Sequence, residues 1–313
     1  MIREINFENR VVIVTGAGAG LGRCHALEFA RRGARVVVND LGVGLHGDGN
    51  SSSAADEVVA KIRAAGGEAV ANYDSVESGD SIIQTAMDHY GRVDIVVNNA
   101  GILRDSSFTN MTDDDWDLVY RVHVLGAYKV THAAWPVMRK QGYGRIVNTC
   151  SASGIYGNFG QANYSTAKLG LYGFTQTLAQ EGVKYNILVN AIAPVAGSRM
   201  MAAIAPPKLL EALRPEYVTP LVTRLCMAES SETGSLFEVG GGWLAKLRWE
   251  RTQGLRFGPD NQFSLEDVDA QWDKLCDFTD AEHPGSASGE SPIKPVFDNL
   301  HLKFTAESLG PQG

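Results

Sequence analysis

Tyr164 and Lys168 stand four positions apart in the run 164–168 (YSTAK). On a helix this spacing places both side chains on one face. A free tyrosine titrates near pKa ~10, which is too high for a base at neutral pH. A nearby positive charge, such as the ammonium of a lysine, favours the phenolate and lowers that pKa. The pair therefore predicts a tyrosine that accepts a substrate proton, whereas a pair of this kind alone is most often an ordinary surface pair.

Ser151 follows a predicted strand, Arg145–Thr149, and so lies at the carboxyl edge of a predicted sheet. Its hydroxyl can hydrogen-bond the hydroxyl or carbonyl oxygen of a substrate at that edge. Ser151, Tyr164 and Lys168 follow a glycine-rich turn in chain order, and chance is a poor explanation for the combination.

The glycine-rich turn occupies residues 15–22 (TGAGAGLG), between a predicted strand and a predicted helix. Glycines let the backbone approach a pyrophosphate, and the helix that follows offers unpaired N–H groups and a positive dipole end. The alternative is a simple tight turn, but the strand–turn–helix context favours a dinucleotide site. Gly16, Gly20, Leu21 and Gly22 are the predicted cofactor-binding residues of this loop.

Asp40 ends the second predicted strand, directly after Asn39. An acidic side chain there binds ribose hydroxyls and repels a 2′-phosphate. No arginine follows immediately to receive such a phosphate, so NAD is the predicted cofactor rather than NADP. Arg23, on the cofactor helix, is the one basic residue that argues for caution, and it is equally compatible with a solvated helix position.

Alternating strands and helices must position these residues. The predicted strands are Arg10–Thr15, Arg35–Asn39, Glu68–Tyr73, Val93–Asn98, Arg145–Thr149, Ile187–Ala191 and Ser235–Val239. The predicted helices include Ala54–Ala65, Ser81–Tyr90, Asp113–Lys140 and Ala167–Gly182. Continuous Val/Ile runs joined by helices are typical of a parallel sheet covered on both faces. The predicted fold is a single α/β doubly wound Rossmann-type sheet with a C-terminal extension.

The composition indicates two parts. Residues 1–246 form the predicted dehydrogenase domain, and residues 247–313 form an acidic extension. The extension holds 6 basic and 12 acidic residues and so carries −6 of the formal net charge of −8. Ser264–Lys274 is predicted to be one helix with Ser264 as N-cap and Asp267 at its third position. The extension is expected to be structural.

Leu41–Ser53 is a Gly/Ser-rich loop that is expected to order partly when a cofactor binds.

Several classes of protein are disfavoured. The 313-residue chain is acidic and shows no basic stripe, which disfavours nucleic-acid binding and a membrane-surface role. No apolar run reaches the ~18 residues that a membrane span needs, and the first residues lack a signal-peptide core. The four cysteines lie far apart without metal-ligand spacing, so neither a disulfide framework nor a metal site is predicted.

Together the motifs resemble the short-chain dehydrogenase/reductase family. They are the glycine loop 15–22, Asn98-Asn99-Ala100-Gly101, Ser151 and the Tyr164/Lys168 pair, and they span residues 10–246. Four further runs are similar to the branch formed by the (3R)-hydroxyacyl-CoA dehydrogenase regions of peroxisomal multifunctional enzymes type 2. These runs are 38–42 (VNDLG), 98–105 (NNAGILRD), 154–164 (GIYGNFGQANY) and 197–200 (GSRM).

The resemblance implies a role for each matching residue. Tyr164 would be the general base, Ser151 would orient the substrate oxygen, and Lys168 would hold the nicotinamide ribose and depress the pKa of Tyr164. The resemblance also adds four positions in the cofactor cleft and one beside the nicotinamide: Asn99, Gly101, Asp74, Ser75 and Pro194. Val195 departs from the family pattern, in which glycine often follows that proline.

His123 occupies a position where the family often carries a catalytic asparagine. A lone histidine is often a hydrogen-bonded core residue, and this is the first of two interpretations of His123. The alternative is that His123 holds a water in a proton path from Tyr164 through Lys168. His123 is therefore included among the candidate catalytic residues.

The resemblance implies NAD-dependent oxidation of a secondary alcohol, with (3R)-3-hydroxyacyl-CoA as substrate and 3-ketoacyl-CoA as product, a step of fatty acid β-oxidation. The alternatives are a hydroxysteroid dehydrogenase, a dehydrogenase of steroid side-chain CoA esters, and a non-catalytic protein that senses NAD. A few basic residues are expected to bind the CoA phosphates, from the set Arg104, Arg199, Lys208, Arg214, Arg224, Lys246, Arg248, Arg251 and Arg256. The predicted acyl-chain contacts are Met200, Met201, Ile204 and Leu209.

The resemblance also implies a homodimer, formed through helices such as Asp113–Lys140 and Ala167–Gly182. The last residues, Pro311-Gln312-Gly313, do not form a Ser-Lys-Leu peroxisomal address. The expected location is the cytoplasm, or the peroxisome if the chain belongs to a larger multifunctional protein.

Overall fold

Short runs of valine and isoleucine form the strands of this protein. A computed structural model describes residues 5–44, 46–48, 52–196, 212–284 and 294–303. The chain divides into two compact units, Met1–Leu247 and Arg248–Gly313. The first unit carries the sheet and the described residues that line the cavity discussed below.

One eight-stranded sheet runs through the first unit. Its strands are β1 (Val11–Thr15), β2 (Arg35–Asn39), β3 (Glu68–Asn72), β4 (Ile95–Asn98), β5 (Gly144–Thr149), β6 (Ile187–Pro194), β7 (Leu236–Gly240) and β8 (Trp243–Leu247). The spatial order is β3-β2-β1-β4-β5-β6-β7-β8. The first seven strands are parallel to their neighbours, and β8 alone pairs antiparallel, with β7. The strand order reverses between β1 and β4, where a doubly wound sheet opens a crevice for ligands.

Helices cover both faces of the sheet. They are α1 (Gly20–Arg31), α2 (Ser53–Ala64), α3 (Gly79–Tyr90), α4 (Asp113–Tyr120), α5 (Gly126–Gln141), α6 (Ala152–Tyr156), α7 (Ala162–Gly182) and α8 (Thr219–Leu225). The predicted doubly wound fold is confirmed. No helix in the described ranges is long and apolar enough to cross a membrane.

Alternation along each strand divides the core into two layers. In β1, Val12 and Val14 pack on one face with Phe29 of α1 and Ile62 of α2. Val11 and Ile13 pack on the other face, together with side chains of α3 and α5. Because a strand turns successive side chains to opposite faces, an unbroken apolar run fills both layers at once.

The long predicted helix Asp113–Lys140 is not continuous. It consists of α4, a five-residue π turn (Arg121–Leu125) and α5. A π turn carries its hydrogen bonds from residue i to i+5, so it inserts extra backbone and rotates the helix that follows. The π turn contains His123, and this local change of winding sets the direction of that side chain.

The amino edge of the sheet carries a buried ionic network. Asp94, which is fully buried, accepts hydrogen bonds from Arg10 Nη1 at 3.0 Å and from Arg92 Nη2 at 2.7 Å. Arg145 is also buried, and it donates to the carbonyls of Asn186 and Ala228. Buried charges of this kind require several partners, because an unpaired charge away from water is costly.

The described residues of the second unit, 248–284 and 294–303, form three short helices: α9 (Leu265–Asp269), α10 (Trp272–Leu275) and α11 (Lys294–Asn299). The predicted N-cap is confirmed, since the Ser264 side chain accepts from the Asp267 N–H and Asp267 bonds back to the Ser264 N–H. The prediction of one helix over Ser264–Lys274 is wrong. The backbone leaves the helical region at Gln271 (φ −117°, ψ 17°) and the second helix begins after it.

Candidate active site

A cavity of about 490 Å³ opens at the carboxyl ends of β1, β2, β4 and β5. The predicted site residues that line it are Gly16, Gly20, Leu21, Asp40, Asp74, Ser75, Asn99, Gly101, His123, Ser151, Tyr164, Lys168 and Pro194. Among the predicted catalytic and cofactor-binding residues, Gly22 alone does not line the cavity. The segments after β1, β2, β3, β4 and β5, together with the π turn, α7 and the end of β6, therefore meet at the crevice where the strand order reverses.

The glycine loop is shaped by close backbone approaches. Gly16 has φ +61°, and a Cβ there would lie 2.8 Å from Ala100 Cα. A Cβ on Gly22 would lie 2.3 Å from the Gly16 carbonyl oxygen, so Gly22 packs the cofactor helix against its own loop. Gly20 has φ +53° and nothing within 4 Å of its Cβ position, so it faces open space at the start of α1. This cradle fits a pyrophosphate at a helix N-terminus.

Asn99 ties the glycine loop to β4. Its Nδ2 donates to Thr15 O at 2.9 Å and to Gly16 O at 3.1 Å. The Thr15 hydroxyl in turn accepts from the main-chain N–H groups of Asn99 and Ala100. Asn99 therefore acts on the cofactor cleft by fixing its backbone, a role that requires a partner 84 residues away in the chain.

The Asp40 carboxylate is held in place by two backbone donors. Its Oδ2 accepts from Gly18 N and its Oδ1 from Gly42 N, each at 2.7 Å. Arg23 does not line the cavity. The carboxylate thus lies at the end of β2 beside the glycine loop, where it could hydrogen-bond the ribose hydroxyls of a dinucleotide.

Two asparagines that the sequence interpretation missed support the far end of the cleft. Asn72 Nδ2 donates to Asp74 Oδ2 at 2.8 Å, and Asn39 Nδ2 donates to Asp74 O at 2.8 Å. Asn39 Nδ2 also donates to Asn72 Oδ1 at 2.7 Å. Both asparagines end neighbouring strands, which is the signal that could have identified them.

Tyr164 and Lys168 lie on the first turns of α7 and are both buried. Lys168 Nζ is 5.5 Å from the Tyr164 ring centroid and donates to Thr149 O at 2.6 Å. The side chain of Ser151 hydrogen-bonds that of Tyr164. The predicted set Ser151, Tyr164 and Lys168 is thus brought together on one wall of the cavity.

The pKa values in this cluster differ from the expectation that Lys168 lowers that of Tyr164. Burial raises the pKa of Tyr164 to about 12, with a smaller opposing effect from the Ser151 hydrogen bond. Burial also lowers the pKa of Lys168 to about 8. Desolvation disfavours the charged form of either group and is the largest cause of both pKa shifts. A further positive charge in the cleft would be required to bring the phenolate into the neutral range.

His123 projects from the π turn into the same wall and is buried. Its Nε2 lies 2.9 Å from Ile102 O and 3.1 Å from Ile102 N, while Nδ1 has no hydrogen-bond partner among the described residues. Its ring packs edge-on against Tyr164, with the centroids 5.3 Å apart. Burial, with Lys168 nearby, holds the pKa of His123 well below its usual value, so the ring is neutral. A neutral ring with one unpartnered nitrogen is suited to hold a water.

A polar cluster beside α7 was also missed. Asn163 Oδ1 accepts from Tyr164 N at 2.7 Å, and its Nδ2 donates to Arg104 O at 3.0 Å. Gln161 Nε2 donates to Asp105 Oδ2 at 2.7 Å. These bonds connect the loop after β4 with the start of the catalytic helix. The adjacency of Asn163 to Tyr164 was the available signal, but its partners are distant in the chain.

The predicted substrate contacts are only partly within the described residues. Arg199, Met200, Met201, Ile204, Lys208 and Leu209 lie outside them. Among the described basic candidates, Lys246 pairs with Glu232 at 2.8 Å and Arg251 with Glu282 at 2.6 Å. These two cations already have acidic partners. Across the described ranges, no group of three or more acidic, histidine or cysteine side chains could hold a metal ion.

Comparison with known families identifies this arrangement. The family model described as short chain dehydrogenase matches residues 10–207, the segment that carries the glycine loop and the Tyr164/Lys168 pair. This chain belongs to the short-chain dehydrogenase family. The prediction of a dehydrogenase of this family is therefore confirmed, and members of the family bind NAD(H).

Two curated relatives are similar over most of the chain. The peroxisomal multifunctional enzyme type 2 of Mus musculus is 59% identical over 99% of this chain, which covers 42% of that protein. The peroxisomal hydratase-dehydrogenase-epimerase of Neurospora crassa is 58% identical over 91% of this chain, which covers 32% of that protein. The chain spans less than half the length of these two relatives. The resemblance to peroxisomal multifunctional enzymes is confirmed.

A solved dehydrogenase structure shares the fold. The 7α-hydroxysteroid dehydrogenase complexed with NADH and 7-oxo glycochenodeoxycholic acid is 28% identical, with a TM-score of 0.69. The match covers 77% of this chain and 98% of the dehydrogenase chain. The shared part of this chain therefore matches nearly the whole of that dehydrogenase chain.

Proposed function

We propose that this dehydrogenase oxidises (3R)-3-hydroxyacyl-CoA to 3-ketoacyl-CoA with NAD. One observation supports this above all. Ser151, Tyr164 and Lys168 line the same cavity as the glycine loop and Asp40. The substrate class follows from the similarity to peroxisomal multifunctional enzymes, which covers 99% of this chain in the mouse relative.

Asp40 supports NAD rather than NADP. Its carboxylate is fixed by Gly18 N and Gly42 N at the end of β2. A 2′-phosphate at that point would meet a negative charge, whereas ribose hydroxyls would find an acceptor. The other residues that would hold the dinucleotide are the glycine loop for the pyrophosphate and Asp74 for the adenine.

Proton transfer in this proposal belongs to Tyr164. When bound, oxidised NAD supplies the hydride acceptor and a positive charge. Ser151 and Tyr164 would hold the substrate hydroxyl, and the Tyr164 phenolate would take its proton. The bound cofactor would accept the hydride from the carbon that carries this hydroxyl, so that the alcohol becomes a ketone. Lys168, fixed by its 2.6 Å bond to Thr149 O, holds the nicotinamide ribose. The chain contributes orientation and proton transfer, and positioning of this kind supplies roughly 7–11 kcal/mol of barrier reduction in favourable cases.

His123 is proposed to hold a water beside this pair. Its unpartnered Nδ1 is buried and its ring contacts Tyr164. A water there would extend a proton path from Tyr164 through Lys168 toward solvent. The neutral state of the ring allows Nδ1 to hydrogen-bond that water without adding a second cation next to Lys168.

The test is NADH formation from a panel of alcohols. We expect turnover with (3R)-3-hydroxyacyl-CoA esters, little with the (3S) epimers, and loss of turnover in Tyr164→Phe. Efficient turnover of free steroid alcohols with none of any acyl-CoA would replace the substrate assignment by the steroid alternative, which the 7α-hydroxysteroid dehydrogenase neighbour favours. NADH binding without turnover of any alcohol would support the sensor alternative.

A homodimer and a cytoplasmic location complete the proposal, with the peroxisome as location if the chain belongs to a larger multifunctional protein. The four cysteines are all free, which suits a reducing compartment. Sedimentation equilibrium gives the oligomeric state directly, and fractionation of cells gives the location.

A further inference from the structure

The segment after β2 lines the cofactor cleft. We define the strap as residues 41–44 and 46–48. Within it, Gly44 N donates to Asp48 O at 2.7 Å and Gly47 N to Gly44 O at 3.1 Å, so it forms a compact turn. Leu41, Val43, Gly44 and Gly47 line the cavity. A Cβ added at Gly47 would lie 3.5 Å from Leu118 Cδ2 and 3.6 Å from Ile102 Cδ1, so this glycine faces the side chains beyond β4.

Hydrogen bonds join the strap to the loop after β4. Arg104 Nε donates to His46 O at 2.7 Å, and its Nη2 donates to Asp48 Oδ1 at 3.1 Å. His46 Nδ1 lies 3.0 Å from Leu103 O and donates to it. Strands β2 and β4 flank β1 in the sheet, so these bonds connect the two sides of the crevice above the glycine loop.

Arg104 is itself anchored to the catalytic helix. Its carbonyl accepts from Asn163 Nδ2 at 3.0 Å, and Asn163 Oδ1 accepts from Tyr164 N at 2.7 Å. The Nη1 atom of Arg104 lies 3.8 Å from Asp115 Oδ1 at the start of α4. The guanidinium therefore extends from a base that α4 and α7 hold in place, and it reaches the strap from there.

We propose that Arg104 is a positioning residue that holds the strap across the cofactor cleft and thereby slows dissociation of the dinucleotide. The inference rests on the proposed function, because it takes NAD(H) as the occupant of the cleft. Two hydrogen bonds attach the strap to the loop after β4: Arg104 Nε donates to the carbonyl of His46, and His46 Nδ1 donates to the carbonyl of Leu103. The Asp48 carboxylate contributes little, since its side chain is 75% exposed and water screens the pair.

This difference provides a matched control. Arg104→Met keeps a side chain of similar length and removes the charge and every side-chain donor, including Nε, whereas Asp48→Asn removes only an exposed charge from the same contact. Hydrogen bonds that involve a charged group contribute about 1.5–3 kcal/mol, which corresponds to roughly tenfold or more in a rate or equilibrium constant. His46→Ala removes the second connection from the strap side without touching Arg104.

The experiment measures NADH release from the full chain by stopped-flow fluorescence, together with KM for NAD and kcat. We expect Arg104→Met to speed NADH release about tenfold and to raise KM for NAD. His46→Ala should speed release by a smaller factor, and Asp48→Asn should remain within twofold of the wild type.

Three results would overturn the inference. One is NADH release from both Arg104→Met and His46→Ala within twofold of the wild type. Another is a fall in kcat with release unchanged, which would mean that Arg104 acts on Tyr164 rather than on the strap. The third is absence of NADH binding by the wild type, which would refute the proposed function itself and is recognised before any variant is compared.

Discussion

At the scale of single residues, burial shifts the pKa values of Tyr164 and Lys168 in opposite directions, to about 12 and about 8. Below pH ~8, Lys168 stays charged and each pH unit gives tenfold more Tyr164 phenolate. Above that pH the ammonium declines tenfold per unit and offsets the gain. We therefore expect log kcat/KM for NAD, which reports the free enzyme, to rise with slope one and level off near pH 8.

Lys168→Arg is the companion variant for that profile. Arginine stays protonated throughout, so the rise should continue above pH 8 in this variant although the absolute rate is lower. A wild-type profile that falls with pH, or shows no change of slope, would contradict the assignment of these two groups.

Tyr164→Phe removes one hydroxyl from a buried ring. Because loss of a general base costs typically 10²–10⁴-fold, we expect kcat to fall by about that factor. The NADH dissociation constant should stay within about twofold, since the ring still packs against His123. Isothermal calorimetry and steady-state kinetics measure the two quantities. Retention of more than a tenth of the wild-type kcat would exclude Tyr164 as the base.

Asp40→Ala tests cofactor choice. The wild type should have a higher kcat/KM with NAD than with NADP. The variant should reduce the ratio of these two values, because it binds the ribose hydroxyls of NAD less tightly and no longer repels a 2′-phosphate. Equal efficiency of both cofactors in the wild type would contradict the role of Asp40. Asp48→Asn serves as the control, because Asp48 is an exposed carboxylate of the same loop.

At the scale of elements, the loop after β4 and the π turn are packed against each other. A Cβ on Gly101 would lie 2.4 Å from His123 Cε1. Because the ring is buried, we expect Gly101→Ala to lower the free energy of unfolding by about 1–3 kcal/mol, the usual cost of overpacking, and to reduce kcat. Urea denaturation measures the first effect.

Gly170→Ala is the control for that substitution. Gly170 lies within α7 and has nothing within 4 Å of its Cβ position. Alanine should therefore stabilise the helix by roughly 0.5–1 kcal/mol. If both variants changed stability by the same amount, the contact between Gly101 and His123 would not be the cause.

Periodicity predicted the elements well where burial is uniform. All seven parallel strands were predicted because their apolar runs face two core layers. Strand β8 was not, because Trp243 and Leu244 are half exposed and its pattern is mixed. The π turn differs from a regular helix by a shift in hydrogen bonding over five residues, which leaves almost no trace in apolar spacing. Asn163 was missed because its partners lie 48 and 59 residues away.

At the scale of the whole molecule, every lining residue of the cavity belongs to the unit Met1–Leu247. We therefore expect a chain truncated after Leu247 to bind NADH with a dissociation constant within about threefold of the full chain. Fluorescence titration measures it, and circular dichroism establishes that the truncated chain is folded. A folded truncated chain that no longer bound NADH would assign residues 248–313 a direct part in the site.

The ionic network of Asp94, Arg10 and Arg92 lies at the opposite edge of the sheet from the cavity. A five-residue strand separates the two edges by roughly 16 Å at ~3.3 Å per residue. Free-energy effects of substitutions so far apart add almost independently. Directed evolution can therefore accumulate destabilising changes of substrate scope at one edge and compensate them at the other, because thermal tolerance and selectivity are encoded in separate sets of positions.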